Sequence, residues 1–197
     1  MGLIKVLKRI WAQLHRFVFW ALVLSLLWAW IYTLVGDTSR DKKVLLYLET
    51  PGLDRRALSL RLEDACLPME GIKMIQARGF GYELFGSELF GDLYLMREST
   101  LKATLEQSPE KLAAVPLPAG MRGYEWQGKV YGILAFDPET QRGPAMEQIR
   151  YTPFDRPEPE AFWLCFDAHS PHLAQLPGAL DNAAWVTAMA LLKLQNE

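Results

Sequence analysis

The chain has 197 residues, half of them hydrophobic, with 21 Lys and Arg against 23 Asp and Glu. That near-neutral balance lacks the basic footprint of a nucleic-acid binder. Two cysteines in this length exclude a disulfide-dense scaffold.

Residues 3–16 set Leu3, Ile4, Val6, Leu7, Ile10, Trp11 and Leu14 against Lys5, Lys8, Arg9, Gln13 and Arg16. This predicts an amphipathic, cationic lead-in over residues 1–16, lying on the inner leaflet or continuing into the apolar run beyond it. Phe17 to Val35 then runs FVFWALVLSLLWAWIYTLV without a charge. Nineteen helical residues span about 28 Å, close to a hydrocarbon core of about 30 Å. A water-soluble helix would carry a polar face, and this one has none, so 17–35 reads as a transmembrane helix. The run exceeds the apolar core of a cleaved signal peptide, and Leu34-Val35-Gly36 is no A-x-A site. It is therefore expected to be an uncleaved signal anchor. Lys5, Lys8, Arg9 and Arg16 in front of it favour a cytoplasmic amino terminus.

All 23 acidic residues, but only 17 of the 21 basic ones, lie beyond Gly36. A short polar linker over 36–42 leads into a mildly acidic extracytoplasmic domain, 43–197. Val44 to Glu49 reads as a buried strand, broken by Thr50-Pro51-Gly52. Asp54 caps a helix through about Ala65. Ile72 to Ala77 alternates as a second strand. Gly79 to Gly91 carries repeated glycines that match neither GxGxxG nor GxxxxGK[ST], and holds a short helix near Tyr82 to Phe85. Asp92 to Met96 is a third strand, followed by a helix to about Gln107 with Glu98 or Ser99 near its cap. This alternation predicts an α/β unit with parallel strands. Gln127-Gly128 then signals a hairpin between Tyr124–Trp126 and Lys129–Phe136. Asp137 to Pro159 reads mostly as loop, around a short element near Met146 to Tyr151. Ala161 to Asp167 is another buried strand, and Asn182 to Leu194 a closing helix.

Asp92-Leu-Tyr-Leu-Met96 before a helix, and Tyr124-Glu-Trp-Gln-Gly-Lys-Val-Tyr-Gly-Ile133 after it, resemble bacterial extracytoplasmic solute-binding proteins of ABC-transporter type. There a strand of the D-[VIL]-Y kind precedes a helix, and a GKVYGIP hairpin leads toward the hinge between two lobes. Phe162 to Phe166 and the alanine-rich closing helix fit as well. After Asp137 the chain has room for a few short elements and not for a second lobe. The resemblance thus implies an α/β, single-lobe periplasmic-binding-protein-like domain with a mixed sheet, behind one transmembrane helix. A lone lobe does not enclose a small ligand on all sides.

Ligands of open α/β sheets sit outside the carboxyl ends of the strands. Those ends bring up Thr50, Arg78, Phe80, Arg97 and Asp137, with the two arginines suited to an anion. Trp126 and Tyr131 offer stacking surfaces for a sugar, or pack on their own sheet. Cys165, His169 and His172 form C-x3-H-x2-H, but Pro171 interrupts the spacing and a fourth ligand is lacking. Ser170 beside these histidines lacks a GxSxG elbow. Glu158 and Glu160 read as a solvated turn rather than an acid/base pair. Cys66 and Cys165 could pair outside the cytoplasm, although a domain poor in cysteine favours free buried thiols. No enzyme activity, cofactor or metal is expected. The expected partners are the lipid bilayer and a membrane transporter or other membrane protein. The expected function is a membrane-anchored, solute-binding-like module that recognises a small ligand or a membrane protein. The alternative is a structural or assembly subunit of a membrane complex without a small ligand.

Overall fold

Strand β1, Lys43–Leu48, shows how the domain is layered. Val44, Leu46 and Leu48 point to one face of the sheet, and Leu45 and Tyr47 to the other. A strand buried on both faces reads as an unbroken apolar run, as KVLLYL does. The computed structural model describes residues 2–36, 38–49, 54–79, 91–140 and 160–194. They divide between Ser39 and Arg40 into two units.

The first unit contains helix α1, Gly2–Gly36. It runs without a break through the basic lead-in, because residues 3–35 contain neither proline nor glycine. Its stretch Gln13–Ile31 is long and apolar enough to cross a membrane, with a mean hydropathy of 1.7. Large side chains such as Phe17, Leu24, Leu26 and Trp28 lie exposed around it. This apolar window overlaps the expected 17–35 but begins four residues earlier.

The second unit is an α/β domain with a mixed seven-stranded sheet. A 3-10 turn, Arg40–Lys42, opens it. Arg40 therefore belongs to the domain and not to a free linker, because its side chain is held there. Asp54 accepts the amides of Arg56 and Ala57, both at 3.0 Å, and starts helix α2, Arg55–Cys66. Strand β2 is Met74–Gly79 and strand β3 is Leu93–Arg97. Helix α3, Glu98–Gln107, leads through a 3-10 turn to a two-residue strand β4, Leu112–Ala113, which lacked a sequence signal. Strands β5, Gly123–Trp126, and β6, Lys129–Phe136, form the expected hairpin. Gln127 and Gly128 both have positive φ, as a two-residue turn with that twist requires. Strand β7, Phe162–Asp167, and helix α4, Ala183–Lys193, complete it.

The strand order is β2-β1-β3-β7-β6-β5, with β4 paired to β7. β2, β1 and β3 are parallel, as alternation predicts. β7, β6 and β5 continue antiparallel. One face packs Leu58 and Leu62 of α2 and Ala184, Ala188 and Leu191 of α4 onto Val44, Leu46, Leu93, Leu95, Leu164 and Phe166. The other packs Leu101 and Leu105 of α3 onto Tyr94, Met96, Trp163 and Cys165.

Open sheet edges invite pairing with other chains. The β2 edge is blunted from within. The Ile75 amide donates to Glu63 Oε1 at 3.0 Å, and the Ala77 amide to Ser59 Oγ at 2.8 Å. Both acceptors come from α2, one turn apart, which matches the two-residue repeat of outward amides.

Candidate functional site

β1 connects to one side of the sheet and β3 to the other, so the crevice between their carboxyl ends is where a ligand of such a sheet belongs. The chain fills it with its own carboxylates. Glu49, just past β1, accepts the Arg97 amide and the Thr100 hydroxyl, each at 2.8 Å. Glu160, just before β7, accepts the Ser99 amide at 3.2 Å. The Arg97 amide sits at the cap of α3 and the Ser99 amide in its first turn, where the helix dipole favours negative charge. The cap of α3 is thus supplied from residues 48 and 61 positions away, not by Glu98 or Ser99 as the local sequence suggests. The Arg97 side chain does not reach outward, because its Nε lies 3.9 Å from Glu49. Glu160 is half-buried and bonded, which corrects its reading as a solvated turn residue.

A cleft of about 480 Å³ opens beside this capped helix end. Glu98 and Lys102 of α3 form one wall. Arg122, Leu134, Asp137 and Glu139, at the base of the hairpin, form the other. Ala161 and Trp163 of the β7 region also line it. Asp137 is committed locally: it takes Arg122 Nη1 at 3.1 Å and the Glu139 amide at 3.1 Å. Carboxylates outnumber cations around this cleft. Tyr124, nearby, feels that field. Burial first, then the charges of Glu98 and Glu106, raise its phenol above the ordinary value.

Of the residues expected at the strand ends, only Asp137 lines the cleft among the described residues. Arg78 is exposed on edge strand β2, where its Nη2 donates to Gln76 at 3.0 Å. Trp126 and Tyr131 pack partly buried against the sheet face that carries α3. Thr50, Phe80 and Glu158, the helix expected near Tyr82 to Phe85 and the element near Met146 to Tyr151 lie outside the described residues.

The opposite end of the sheet holds a buried polar network. Asp92, fully buried, takes both guanidinium arms of Arg40 at 2.6 and 2.8 Å. It also accepts the Leu45 amide at 2.7 Å and the Ser170 hydroxyl at 2.6 Å. Beside it the Tyr94 hydroxyl donates to Asp167, whose other oxygen accepts the His169 amide at 2.6 Å. Burial raises Asp167 above the usual carboxylate range, against the hydrogen bonds from Tyr94 and His169. Burial, then the Asp167 charge, pushes the Tyr94 phenol upward.

Ser170, His172 and Asp181 have the composition of a nucleophilic triad but not its wiring. Ser170 donates to Asp92, and only its oxygen meets His172, accepting that residue's backbone amide at 3.1 Å. The His172 ring faces Asp181 through Nδ1 and the Arg40 carbonyl through Nε2. No ring nitrogen is left to take a proton from Ser170, so this serine is not activated.

The C-x3-H-x2-H residues do not converge on a metal. Cys165 is buried in β7 while His169 is exposed, and the described residues hold no His, Cys, Asp or Glu group fit for a metal ion. Cys66 and Cys165 are both free thiols. Sequence reading placed Asp92 at the head of the third strand and of the D-[VIL]-Y motif but gave its carboxylate no role, because its partners Arg40, Leu45 and Ser170 are far away in the chain. No protein-family model, no curated protein and no solved structure matches this chain.

Proposed function

We propose that this chain is a single-pass membrane-anchored, non-enzymatic α/β module that resembles one lobe of a solute-binding protein and works by docking a membrane protein partner. Its amino terminus is cytoplasmic and its domain extracytoplasmic, in keeping with the basic residues ahead of the apolar helix. One observation carries the choice of a protein over a solute. The crevice at the β1 and β3 ends is filled by Glu49 and Glu160, which take the Arg97 and Ser99 amides and the Thr100 hydroxyl that an anionic ligand would meet there. A second reading keeps a small ligand. The neighbouring cleft, about 480 Å³, has the size of a small-molecule pocket, and its excess of carboxylates suits an amine.

Photocrosslinking in native membranes tests the choice, with probes at Lys102 on the cleft side and at Arg78 on the far sheet edge. A discrete protein adduct from one position and not the other supports docking. A sugar, amino acid, amine or peptide that saturably raises the melting temperature of the full chain, and loses this effect in Asp137→Ala, supports the ligand reading instead.

A further inference from the structure

We infer that the cleft between α3 and the base of the hairpin is a site for a small amphoteric ligand with one carboxylate and two cationic groups, the chemistry of a basic α-amino acid. The inference rests on the small-ligand reading of this cleft and specifies what that ligand carries.

Six charged residues line the cleft, four acidic and two basic. Half of them are already engaged. Arg122 and Asp137 pair at 3.1 Å. Glu160 accepts the Ser99 amide in the first turn of α3, where the helix dipole offsets part of its charge. The carboxylates of Glu98 and Glu139 and the ammonium of Lys102 remain, and these side chains make no hydrogen bond or ion pair among the described residues. The free groups sum to one negative charge, with both signs present. Glu98 and Lys102 stand one turn apart on α3, so one wall offers a carboxylate beside an ammonium. That pair suits the ammonium and carboxylate of an amino-acid head. Glu139, on the other wall, suits a second cation at the far end of the ligand. A plain amine leaves Lys102 unmatched, and a neutral amino acid leaves Glu139 unmatched.

The base of the cleft makes a separate demand. Leu134 and Trp163 lie opposite each other on β6 and β7, and both line it. Trp163 is only 6% exposed, and its indole Nε1 has no hydrogen-bond partner. This nitrogen only donates, and buried donors in folded proteins are nearly always paired. The ligand's carboxylate is an acceptor for it. The apolar surfaces of Leu134 and Trp163 suit the methylene stem that separates the charged ends. A cleft of about 480 Å³ has room for such a molecule.

The test is titration calorimetry on the full chain in nanodiscs, with L-lysine, L-arginine, norleucine and cadaverine as probes. Norleucine lacks the distal cation and cadaverine lacks the carboxylate. L-lysine or L-arginine should bind saturably, one per chain, and at least about tenfold tighter than either mimic, the ordinary effect of one charged hydrogen bond. Glu139→Gln should bring L-lysine down to the level of norleucine, and Lys102→Met should abolish its advantage over cadaverine. In the chain labelled with 15N-tryptophan, Trp163→Phe identifies one indole signal among seven, and that signal should move on saturation with the amino acid. Cadaverine binding as tightly as both amino acids overturns this proposal and leaves the amine reading standing. An L-lysine affinity unchanged in Glu139→Gln, or a Trp163 signal that stays still at saturation, also overturns it. Absence of binding by all four probes overturns the proposal and the small-ligand reading together.

Discussion

Arg40 and Asp92 form a two-pronged ion pair across 52 residues of sequence, with the carboxylate sealed inside the domain. A charge so buried is tolerated because all its oxygens are engaged: two arms of Arg40, the Leu45 amide and the Ser170 hydroxyl. The pair also accounts for where the domain begins, since Arg40 is its first residue.

Removing one partner of such a pair strands the other. Arg40→Ala should destabilise the domain by about 3–5 kcal/mol. Arg40→Lys should lose less, because the charge remains while the fork is lost. Cys165, fully buried in β7, supplies the readout. In a Cys66→Ser chain held in membranes, the rate of Cys165 alkylation follows opening of the core. If Arg40→Ala leaves that rate unchanged, the pair is not a stabilising contact.

Glu49 and Glu160 close the strand-end crevice, so removing them should open an anion site. Glu49→Ala alone should cost about 1 kcal/mol through loss of the α3 cap. In Glu49→Ala/Glu160→Ala the Arg97 and Ser99 amides lose their carboxylate partners while the Glu98 amide stays on the Ala161 carbonyl, and Arg97 no longer faces the Glu49 carboxylate. Sulfate or phosphate should then raise the melting temperature of the double variant and leave the parent chain unaffected. An equal effect on both chains would mean that the crevice was never closed.

Most of the element order was legible in the sequence because each element has a local cause. Asp54 announces α2, Gln127-Gly128 the hairpin, and continuous apolar runs mark β1 and β7. What escaped depends on residues far apart in the chain. The α3 cap comes from Glu49 and Glu160, and the Asp92 network joins Arg40, Leu45 and Ser170. Neither leaves a periodic signal. The two arginines expected to grip an anion are held apart for a similar reason. Arg78 and Arg97 stand at the same end of the sheet, yet each finds a partner within its own neighbourhood.

The protected β2 edge gives a third expectation. Ser59→Ala and Glu63→Ala each leave an outward amide without its side-chain acceptor. Each should cost about 1 kcal/mol, and together they should expose a row of free donors. Light scattering of the solubilised double variant should rise at protein concentrations where the parent stays clear. Unchanged scattering would show that α2 does not guard this edge.

Helix α1 makes a separate claim that needs only membranes. Leu24 lies exposed near the middle of the apolar stretch Gln13–Ile31. Arginine at the centre of a spanning helix costs about 2.5–3.5 kcal/mol on insertion scales. Leu24→Arg should therefore move a measurable fraction of the chain into the alkaline-carbonate supernatant, whereas Leu24→Ile should not. Full retention of Leu24→Arg would argue against a spanning helix.

Alkaline pH should weaken the domain through two buried acids. Burial raises the Cys165 thiol and the Tyr94 phenol above their ordinary values of 9.0 and 10.0. Above those values the unfolded chain gives up protons that the folded chain retains. The folded state then binds more protons, so stability falls as pH rises, and below about pH 9 this contribution is flat. Asp167 acts in the same direction at the acid end. Burial favours its neutral form, so its contribution grows as pH falls toward the ordinary carboxyl range. Urea titrations followed by circular dichroism at a series of pH values would give the slope. Cys165→Ala should reduce the limb that begins near pH 9, which Cys66 shares, and Tyr94→Phe the limb that begins near pH 10, which Tyr124 shares, even though each variant starts from a lower stability. An alkaline slope unaltered in both variants would place the titrating groups elsewhere in the fold.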